Sequence, residues 1–416
     1  MIHIRGMAMN FEEAKLKLEK YGQSHVLDYY DELAPEQKEA LLTQIDETDL
    51  SVIRYAANPH GNQERGKISP LGAMEIPEIE KNRERFEKAG LEALRAGKIG
   101  AVLLAGGMGT RLGSDDPKCM YDIGITKPVY IMQRLIENMM DVVKESGRFI
   151  PLFIMTSDKN HDKTVRFMEE KDYFGYDKEM VRFFKQDMAP AVDYDSKVYM
   201  EARDRIATSP NGNGGWFKSM MSTGTLDRAK ELGCEWLEIF AVDNVLQRIA
   251  DPCFVGATLL SGCATGAKVV KKAAPDEKVG CLCLEDGKPS IVEYYDMTPE
   301  LMEAKNEKGE PAYNFGVILN YLFREKDLER IVNDELPMHV VEKKIPYMDK
   351  DGKDVKPAEP NGYKFETLAV DLVRELETCL PYEVAREREF APIKNKTGID
   401  SVESARALCK LNGIEL

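Results

Sequence analysis

Residues 99–113 read Ile-Gly-Ala-Val-Leu-Leu-Ala-Gly-Gly-Met-Gly-Thr-Arg-Leu-Gly, and this stretch decides the fold. Its first half is a short, continuous apolar run, which is typical of a parallel strand buried on both faces. Its second half is a glycine-rich loop, whose backbone N–H groups can come close to a ligand. Similar apolar runs alternate with helical stretches further along the chain, at residues 151–155, 181–184, 236–242 and 268–270. This alternation predicts an α/β fold with a mostly parallel, twisted sheet flanked by helices.

Other segments extend this plan on both sides. Strand patterns at 280–284, 290–294 and 339–347 lie close together, which predicts antiparallel additions to the same sheet. Apolar residues at helical spacing in 11–58 and 78–96 predict a helical N-terminal region, with a polar linker or wrapping segment at 59–77. We therefore divide the chain of 416 residues into three parts. These are a helical segment wrapping the core (1–97), a central α/β domain (98–380) and a short C-terminal segment (381–416), whose last helix starts after Asp400.

The composition of the chain limits the kinds of partner and cellular environment that we expect for it. The formal charge of −15 disfavours a nucleic-acid or anionic-membrane surface, because both kinds of surface need a positive field. No apolar run of the sequence approaches the ~20 residues that span a bilayer. The eight cysteines show no paired C-x-x-C spacing and no signal peptide precedes them, so we expect reduced thiols in a cytoplasmic protein. An anionic substrate then needs a local basic pocket.

We compared the glycine loop with the known nucleotide-binding loop motifs. A dinucleotide-binding loop needs G-x-G-x-x-G, but here Gly113 falls one position late, and the phosphate-loop signature fails because no Gly-Lys-Ser/Thr follows. Arg111 and Lys118 add two cationic donors seven residues apart. The loop therefore predicts phosphate binding, although a plain structural loop remains an alternative on this pattern alone.

The string Leu103–Gly113, followed by Pro117-Lys118, resembles the signature of sugar-nucleotide pyrophosphorylases. More narrowly, it resembles the eukaryotic-type UDP-sugar pyrophosphorylase family, and within that family the UDP-N-acetylglucosamine pyrophosphorylases. Further matching segments follow in the expected order: Gln186, Pro210-Asn-Gly-Asn-Gly-Gly215, Val242-Asp-Asn244, Gly266-Ala-Lys-Val-Val270, Val292-Glu-Tyr294, Asn314 with Gly316, Lys343-Lys-Ile-Pro-Tyr347, Asn361-Gly-x-Lys364 and Phe390-Ala-Pro-Ile-Lys-Asn395. The resemblance implies a Rossmann-like nucleotide-diphospho-sugar transferase fold. It also implies a uridylyltransferase that makes a UDP-sugar and pyrophosphate from UTP and a sugar 1-phosphate.

The resemblance further implies how UTP is bound. Arg111 and Lys118 would clasp the triphosphate and stabilise charge on the departing pyrophosphate. The backbone of Gly106 and Gly107 would face the uracil edge, which Gln186 would read. Further nucleotide contacts are implied for Gly212 and Asn213. A glutamine after a strand, or a Gly-Asn loop, is by itself often only structural.

The sugar and phosphate contacts implied by the resemblance fall on four more residues. Glu293 and Asn314 would hold sugar hydroxyls, and Lys364 and Lys394 would meet phosphates. Each could otherwise be an ordinary strand, loop or surface polar residue. Their occurrence together in matching positions favours the functional interpretation.

Asp243 closes an apolar strand, the place where an α/β sheet presents functional side chains. Val242-Asp-Asn244 resembles the family's metal-binding element, and Mg²⁺ prefers one or two carboxylates plus phosphate oxygens. We therefore expect Mg²⁺ as cofactor with Asp243 as its ligand. Asp371 is either a second ligand or an ordinary helix residue, and we favour the latter.

Two departures from the family pattern leave the sugar open. Leu368 and Val370 stand where hexosamine enzymes usually carry aromatic residues, and residues 314–317 read Asn-Phe-Gly-Val instead of Asn-Ala-Gly-Asn. N-acetylglucosamine 1-phosphate is the expected substrate, with glucose 1-phosphate as the alternative. A non-catalytic UDP-sugar-binding protein of the same fold is the rival from another class. The sequence leaves the oligomeric state open.

Overall fold

The computed structural model describes residues 9–59, 65–332 and 336–416 of the chain. The chain forms two compact units, each assembled from separate stretches of sequence. The first unit contains the described parts of Met1–Glu64, Asp187–Gly215 and Leu336–Leu368. The second contains those of Arg65–Gln186, Trp216–Glu335 and Ala369–Leu416. The predicted domain ranges 1–97, 98–380 and 381–416 stay predictions, and part of the first range lies outside the described residues.

The described helices and strands are as follows. The α-helices are α1 (Phe11–Lys20), α2 (Pro35–Glu47), α3 (Ile76–Arg95), α4 (Ile131–Ser146), α5 (His161–Glu170), α6 (Trp216–Ser222), α7 (Thr225–Glu231), α8 (Pro252–Ser261), α9 (Pro299–Glu303), α10 (Glu325–Ile331), α11 (Asp371–Glu375), α12 (Arg386–Glu389) and α13 (Val402–Leu411). The strands are β1 (Ile68–Pro70), β2 (Ile99–Leu104), β3 (Leu152–Thr156), β4 (Val181–Lys185), β5 (Met188–Pro190), β6 (Val192–Asp193), β7 (Met200–Ala202), β8 (Arg205–Ile206), β9 (Thr208–Pro210), β10 (Trp236–Ala241), β11 (Thr265–Lys271), β12 (Cys281–Glu285), β13 (Lys288–Val292), β14 (Phe315–Arg324), β15 (His339–Lys343), β16 (Tyr347–Met348), β17 (Asp354–Val355), β18 (Gly362–Glu366) and β19 (Cys379–Glu383). Short 3₁₀ helices occur at Ser24–Leu27, Tyr30–Glu32, Leu50–Ala57, Thr110–Leu112, Lys118–Met120, Asp172–Gly175 and Lys178–Met180.

The first unit combines the N-terminal helices with small antiparallel sheets. Helix α1 begins at a capping box, in which Asn10 Oδ1 accepts from the N–H of Glu13 and the Glu13 carboxylate accepts from the N–H of Asn10. Helix α2 begins with Pro35, whose missing N–H costs nothing in the first turn. Strands β15, β18 and β6 form its three-stranded sheet. The predicted helical region at 11–58 is therefore confirmed where it is described.

The second unit is built on a ten-stranded mixed sheet with the main order β1-β12-β14-β10-β2-β3-β4. Strands β10, β2, β3 and β4 pair in parallel, and β14 joins β10 antiparallel. Strand β11 pairs with β14 and β19 and so extends the sheet beside this order. All six residues of β2 are buried, as a continuous apolar run requires. The predicted α/β class, with parallel strands and antiparallel additions, is confirmed.

Three local expectations were wrong or incomplete. The pattern at 339–347 does not extend the main sheet, because β15 pairs with β18 in the first unit. The predicted linker at 59–77 contains β1, which pairs with β12. The long strand β14 and strand β19 were not predicted.

Candidate active site

The carboxyl ends of four parallel strands, β10, β2, β3 and β4, lie at one edge of the sheet in the second unit. Open α/β sheets bind their ligands at this edge. The glycine loop follows β2 here, Gln186 follows β4 and Asp243 follows β10. The strand register therefore gathers three predicted elements of the site.

The glycine loop is closed by its own backbone. The N–H of Gly109 donates to the carbonyl of Asp116 at 2.8 Å, and the N–H of Lys118 donates to the carbonyl of Gly107 at 3.1 Å. Gly113 has a φ of 77°, a left-handed conformation that favours glycine. These contacts hold Lys118 against the start of the loop.

Two buried residues beyond β3 anchor the loop, and the sequence reasoning missed both. Asn160 Nδ2 donates to the carbonyls of Ala105 at 2.8 Å and Gly107 at 3.3 Å. Ser157 Oγ donates to the carbonyl of Gly106 at 2.9 Å. The sequence feature that could have indicated them is the polar string Thr-Ser-Asp-Lys-Asn at residues 156–160, which directly follows the apolar run of β3.

The side chain of Gln186 lies directly against Gly106. A Cβ on Gly106 would come within 2.2 Å of Gln186 Nε2, whereas the Cβ position of Gly107 has no described atom within 4 Å. Gln186 is 7 % exposed, and its backbone N–H donates to the carbonyl of Thr156. The structure therefore brings together two of the residues predicted to contact the base.

Gly106→Ala should weaken UTP binding and narrow the preference for UTP over ATP. The new methyl group pushes the Gln186 amide aside, and each unsatisfied base contact costs ~1–3 kcal/mol, so we expect the KM for UTP to rise about tenfold or more. Initial-rate kinetics with both nucleotides measure the effect. Gly72→Ala is the matched control, because a Cβ at Gly72 meets no described atom within 4 Å. Equal UTP kinetics in the two variants would contradict the assignment of Gln186.

Lys118 and Asp243 meet across neighbouring strand ends. Lys118 Nζ lies 3.5 Å from Asp243 Oδ2, and the two side chains are 16 % and 21 % exposed. Arg111 lies in the same loop, on the 3₁₀ turn Thr110–Leu112, and its residue is exposed. The structure thus places the predicted phosphate-binding lysine beside the predicted metal ligand.

The C-terminal segment 389–394 runs alongside Asp243 and Asn244. The N–H of Ile393 donates to the carbonyl of Asp243 at 2.9 Å, and Asn244 Nδ2 donates to the carbonyl of Glu389 at 2.7 Å. Lys394 directly follows this contact. Its Nζ donates to Asp400 Oδ2 at 3.0 Å, a pairing that the sequence did not predict. Lys394 therefore belongs to the segment that borders the Asp243 strand end.

Glu293 and Asn314 also lie at this edge of the sheet. The pairing of Phe240 with Asn320 places the amino end of β14, which Asn314 precedes, beside the carboxyl end of β10. Cys281 on β12 pairs with both Gly316 of β14 and Val292 of β13, and Glu293 follows Val292. The two predicted sugar-binding residues thus flank strands on either side of β12.

An aromatic residue lies close to Glu293. Partial desolvation of its hydroxyl, together with the negative charges of Glu293 and Asp296, raises the pKa of Tyr295 to about 12, although the residue as a whole is 62 % exposed. Its hydroxyl therefore stays protonated at neutral pH and can donate a hydrogen bond.

The remaining predicted residues, Gly212, Asn213 and Lys364, lie in the first unit. Gly212 has a φ of 85°, and a Cβ there would lie 2.1 Å from the carbonyl oxygen of Thr367. Thr367 also accepts from the N–H of Gly214 at 2.9 Å and donates to the carbonyl of Asn211 at 2.7 Å. Lys364 lies on β18 opposite Val341. The Gly-Asn loop is thus held against the strand that carries Lys364.

Few side chains of the candidate site could bind a metal ion. Among the described residues, no group of three or more His, Cys, Asp and Glu side chains could hold an ion by itself. Asp243 is a partly exposed carboxylate at the strand end, and Asp371 begins helix α11. This fits Mg²⁺, which keeps several waters and takes phosphate oxygens beside one or two carboxylates.

The described part of the chain contains no helix with the length and apolar character for crossing a bilayer. Each of the eight cysteines is a free thiol.

Comparison with known proteins identifies the family of the chain. The profile of the UTP–glucose-1-phosphate uridylyltransferase family matches residues 54–413. The mouse UDP-N-acetylhexosamine pyrophosphorylase-like protein 1 is 35 % identical over 411 residues, covering 93 % of this chain and 81 % of the mouse protein. The yeast UDP-N-acetylglucosamine pyrophosphorylase is 32 % identical over 414 residues, covering 92 % of this chain and 86 % of its own.

A solved structure agrees with these relatives. The uridine diphosphate N-acetylglucosamine pyrophosphorylase of Trypanosoma brucei, in complex with an inhibitor, superposes with a TM-score of 0.80 at 26 % identity, covering 97 % of this chain and 85 % of that one. The fold is that of the UDP-sugar pyrophosphorylases, which are nucleotidyltransferases. The chain belongs to the UTP–glucose-1-phosphate uridylyltransferase family.

Proposed function

We propose that this protein joins UTP to N-acetylglucosamine 1-phosphate, forming UDP-N-acetylglucosamine and pyrophosphate. The observation that carries the proposal is the meeting of Lys118, from the glycine loop, with Asp243, from the neighbouring strand end. A cation and a carboxylate at this edge suit a nucleoside triphosphate bound with Mg²⁺. The names of the yeast and trypanosome relatives support the choice of sugar.

The proposed reaction depends on positioning and charge stabilisation. An oxygen of the sugar phosphate attacks the α-phosphorus of UTP in line, the bond to the β-phosphate breaks, and pyrophosphate leaves. Arg111 and Lys118 donate to phosphate oxygens on which charge increases in the transition state. The sugar phosphate is already an anionic nucleophile, so we assign no general base.

We propose Asp243 as the residue that holds Mg²⁺. Asp243 would hold the ion beside the triphosphate, where Mg²⁺ would supply positive charge to offset that of the phosphates. Lys118 Nζ and the Asp243 carboxylate are close enough to share a triphosphate between them. Asp371 remains an ordinary helix residue in this proposal.

We assign base recognition to Gln186 and the backbone at Gly106 and Gly107, and sugar recognition to Glu293 and Asn314. Gly212, Asn213, Lys364 and Lys394 are proposed to add nucleotide and phosphate contacts. The protein is proposed to work in the cytoplasm, where free thiols such as its eight cysteines persist.

Glucose 1-phosphate is the second candidate substrate. Leu368 and Val370 replace aromatic side chains that would pack an acetyl group, and one such apolar contact changes specificity about 10- to 200-fold. A non-catalytic UDP-sugar-binding protein is disfavoured, since Arg111, Lys118 and Asp243 are all present.

Pyrophosphate release with UTP and a panel of sugar 1-phosphates tests the proposal. We expect turnover with N-acetylglucosamine 1-phosphate, and weaker turnover with N-acetylgalactosamine and glucose 1-phosphates within the about 10- to 200-fold range of one apolar contact. An advantage for glucose 1-phosphate beyond that range would assign the protein to glucose instead. Binding of the UDP-sugar without turnover of any member of the panel would support the non-catalytic rival.

A further inference from the structure

The second unit contains a buried ion pair that the proposed mechanism does not use. Lys268 on β11 and Glu389 at the end of α12 form it, with Nζ 2.6 Å from Oε2. The Lys268 side chain is fully buried and that of Glu389 is 15 % exposed. A buried charge is costly unless it is paired and hydrogen-bonded, so an apolar pair would be the simpler solution for packing alone.

Lys268 is held by several partners. Its Nζ also donates to the main-chain carbonyl of Arg248 at 2.7 Å and lies 3.9 Å from Asp251 Oδ2. Burial lowers the pKa of Lys268, but the carboxylates of Glu389, Asp251 and Glu238 more than offset this and raise it overall. Lys268 therefore stays charged in the interior.

Glu238 on β10 also interacts with Lys268, and it is fully buried. Its Oε2 accepts from the N–H of Ala250 at 3.0 Å. Its Oε1 makes no hydrogen bond of good geometry among the described residues, although the Asn320 side chain lies near enough to lower the pKa of the carboxyl. Burial raises the pKa of Glu238 to about 7, although Lys268 opposes this. The cluster thus contains more polar groups than its own hydrogen bonds satisfy.

The backbone beside Lys268 is distorted. Ala267 pairs with Tyr321 and Val269 with Val317, so three residues of β14 lie opposite Lys268 alone. Within this bulge Leu319 has a φ of 55°, which is strained for a leucine. Bulges and strained residues occur preferentially next to functional sites, where the surrounding structure maintains them.

The ion pair is linked to the active site through Glu389. Its carboxylate accepts from Lys268 and from the N–H of Arg248, and its main-chain carbonyl accepts from Asn244 Nδ2 at 2.7 Å. Asn244 directly follows Asp243, whose carbonyl accepts from the N–H of Ile393. One residue therefore connects the buried lysine to the backbone on which Asp243 and Lys394 lie.

We propose that Lys268 and Glu389 are positioning residues, whose buried ion pair fixes Asp243 and the segment of Lys394 in the arrangement needed for binding the metal–nucleotide complex. The inference rests on the proposed function. The pair acts through Asn244 and the 389–394 backbone. Partners that orient metal ligands in this indirect way typically contribute 10–100-fold to metal affinity or activity.

The test uses the double variant Lys268→Met/Glu389→Gln, which removes both charges of the pair together and should keep the protein folded more readily than removal of either charge alone. Of the two carboxylates that also face Lys268, Asp251 keeps its ion pair with Arg248 at 3.2 Å, and Glu238, whose pKa is about 7, can take up a proton. Calorimetric binding of UTP at increasing Mg²⁺ is the first measurement, because it needs no turnover. We expect the Mg²⁺ concentration for half-maximal UTP binding to rise about tenfold or more, with a matching fall in kcat. Thermal unfolding of each protein is measured alongside.

Glu285→Gln is the matched control for disturbing a buried ion pair elsewhere in the second unit. Glu285 is 2 % exposed and pairs with Arg374 at 3.1 Å, at the end of β12 away from Cys281. We expect this variant to lose thermal stability while its Mg²⁺ dependence of UTP binding stays that of the wild type. A folded double variant with wild-type Mg²⁺ dependence and kcat would overturn the positioning role. If the wild-type protein itself forms no UDP-sugar, the proposed function fails instead.

Discussion

Arg111→Ala is expected to lower kcat at least about 100-fold without unfolding the protein, the scale seen when one transition-state charge donor is lost. Arg111 lies on an exposed turn of the glycine loop, so its removal takes away charge but little packing. Initial rates of pyrophosphate release at saturating UTP and N-acetylglucosamine 1-phosphate measure the change. Circular dichroism and thermal unfolding report the fold.

Arg85→Ala is the matched control for this prediction. Arg85 is an exposed arginine on α3, so the variant changes the net charge of an acidic protein by the same amount. Its kcat should stay close to that of the wild type. Near-normal turnover of Arg111→Ala would remove Arg111 from the catalytic role.

Asp243→Asn is expected to reduce Mg²⁺-dependent turnover by about 100-fold or more, because the amide keeps the shape of the side chain but loses the charge that a hard cation requires. Thermal stability in the absence of nucleotide should change little, since the Asp243–Lys118 contact at 3.5 Å is partly exposed. The measurements are rates over a Mg²⁺ titration and the unfolding midpoint.

The control for Asp243 is Asp141→Asn. Asp141 pairs with Lys144 on the surface of α4 at 3.0 Å, so this variant removes a carboxylate from an ion pair away from the strand ends. It should keep the wild-type Mg²⁺ dependence. Activity of the wild type that survives complete chelation of divalent ions would contradict the metal assignment.

The sequence predicted those parts of the fold that have a local signal. The apolar run of β2 and the glycine loop after it are contiguous, so their pattern specifies both strand and turn. The meeting of Lys118 with Asp243 could be anticipated because parallel strands present their carboxyl ends at one edge. The structure adds that β10 and β2 are neighbours in the sheet, which brings the two side chains within reach of each other.

The parts that were missed depend on contacts distant in sequence. Ser157 and Asn160 bond to loop carbonyls about fifty residues earlier, and polar residues after a strand do not reveal such partners. The 339–347 pattern has correct strand character, but its partner β18 lies in the first unit. Pairing partners are set by tertiary packing, which overrides local β-propensity.

The buried charge of Lys268 is another feature that the sequence did not explain. In sequence it interrupts an apolar strand, and only the contacts with Glu389 and the carbonyl of Arg248 show why a charge is tolerated there. The bulge at Leu319 is likewise invisible in a sequence of ordinary strand residues. Such features require the folded arrangement to be recognised.

The most direct test of nucleotidyl transfer follows the phosphorus atoms of UTP. The purified protein is incubated with N-acetylglucosamine 1-phosphate, Mg²⁺ and UTP labelled with ³²P at either the α- or the γ-position, and the products are separated. Attack at the α-phosphorus predicts α-label in UDP-N-acetylglucosamine and γ-label in pyrophosphate, and both products should depend on the sugar phosphate. Transfer of γ-label to the sugar phosphate, or its release as inorganic phosphate, would contradict attack at the α-phosphorus.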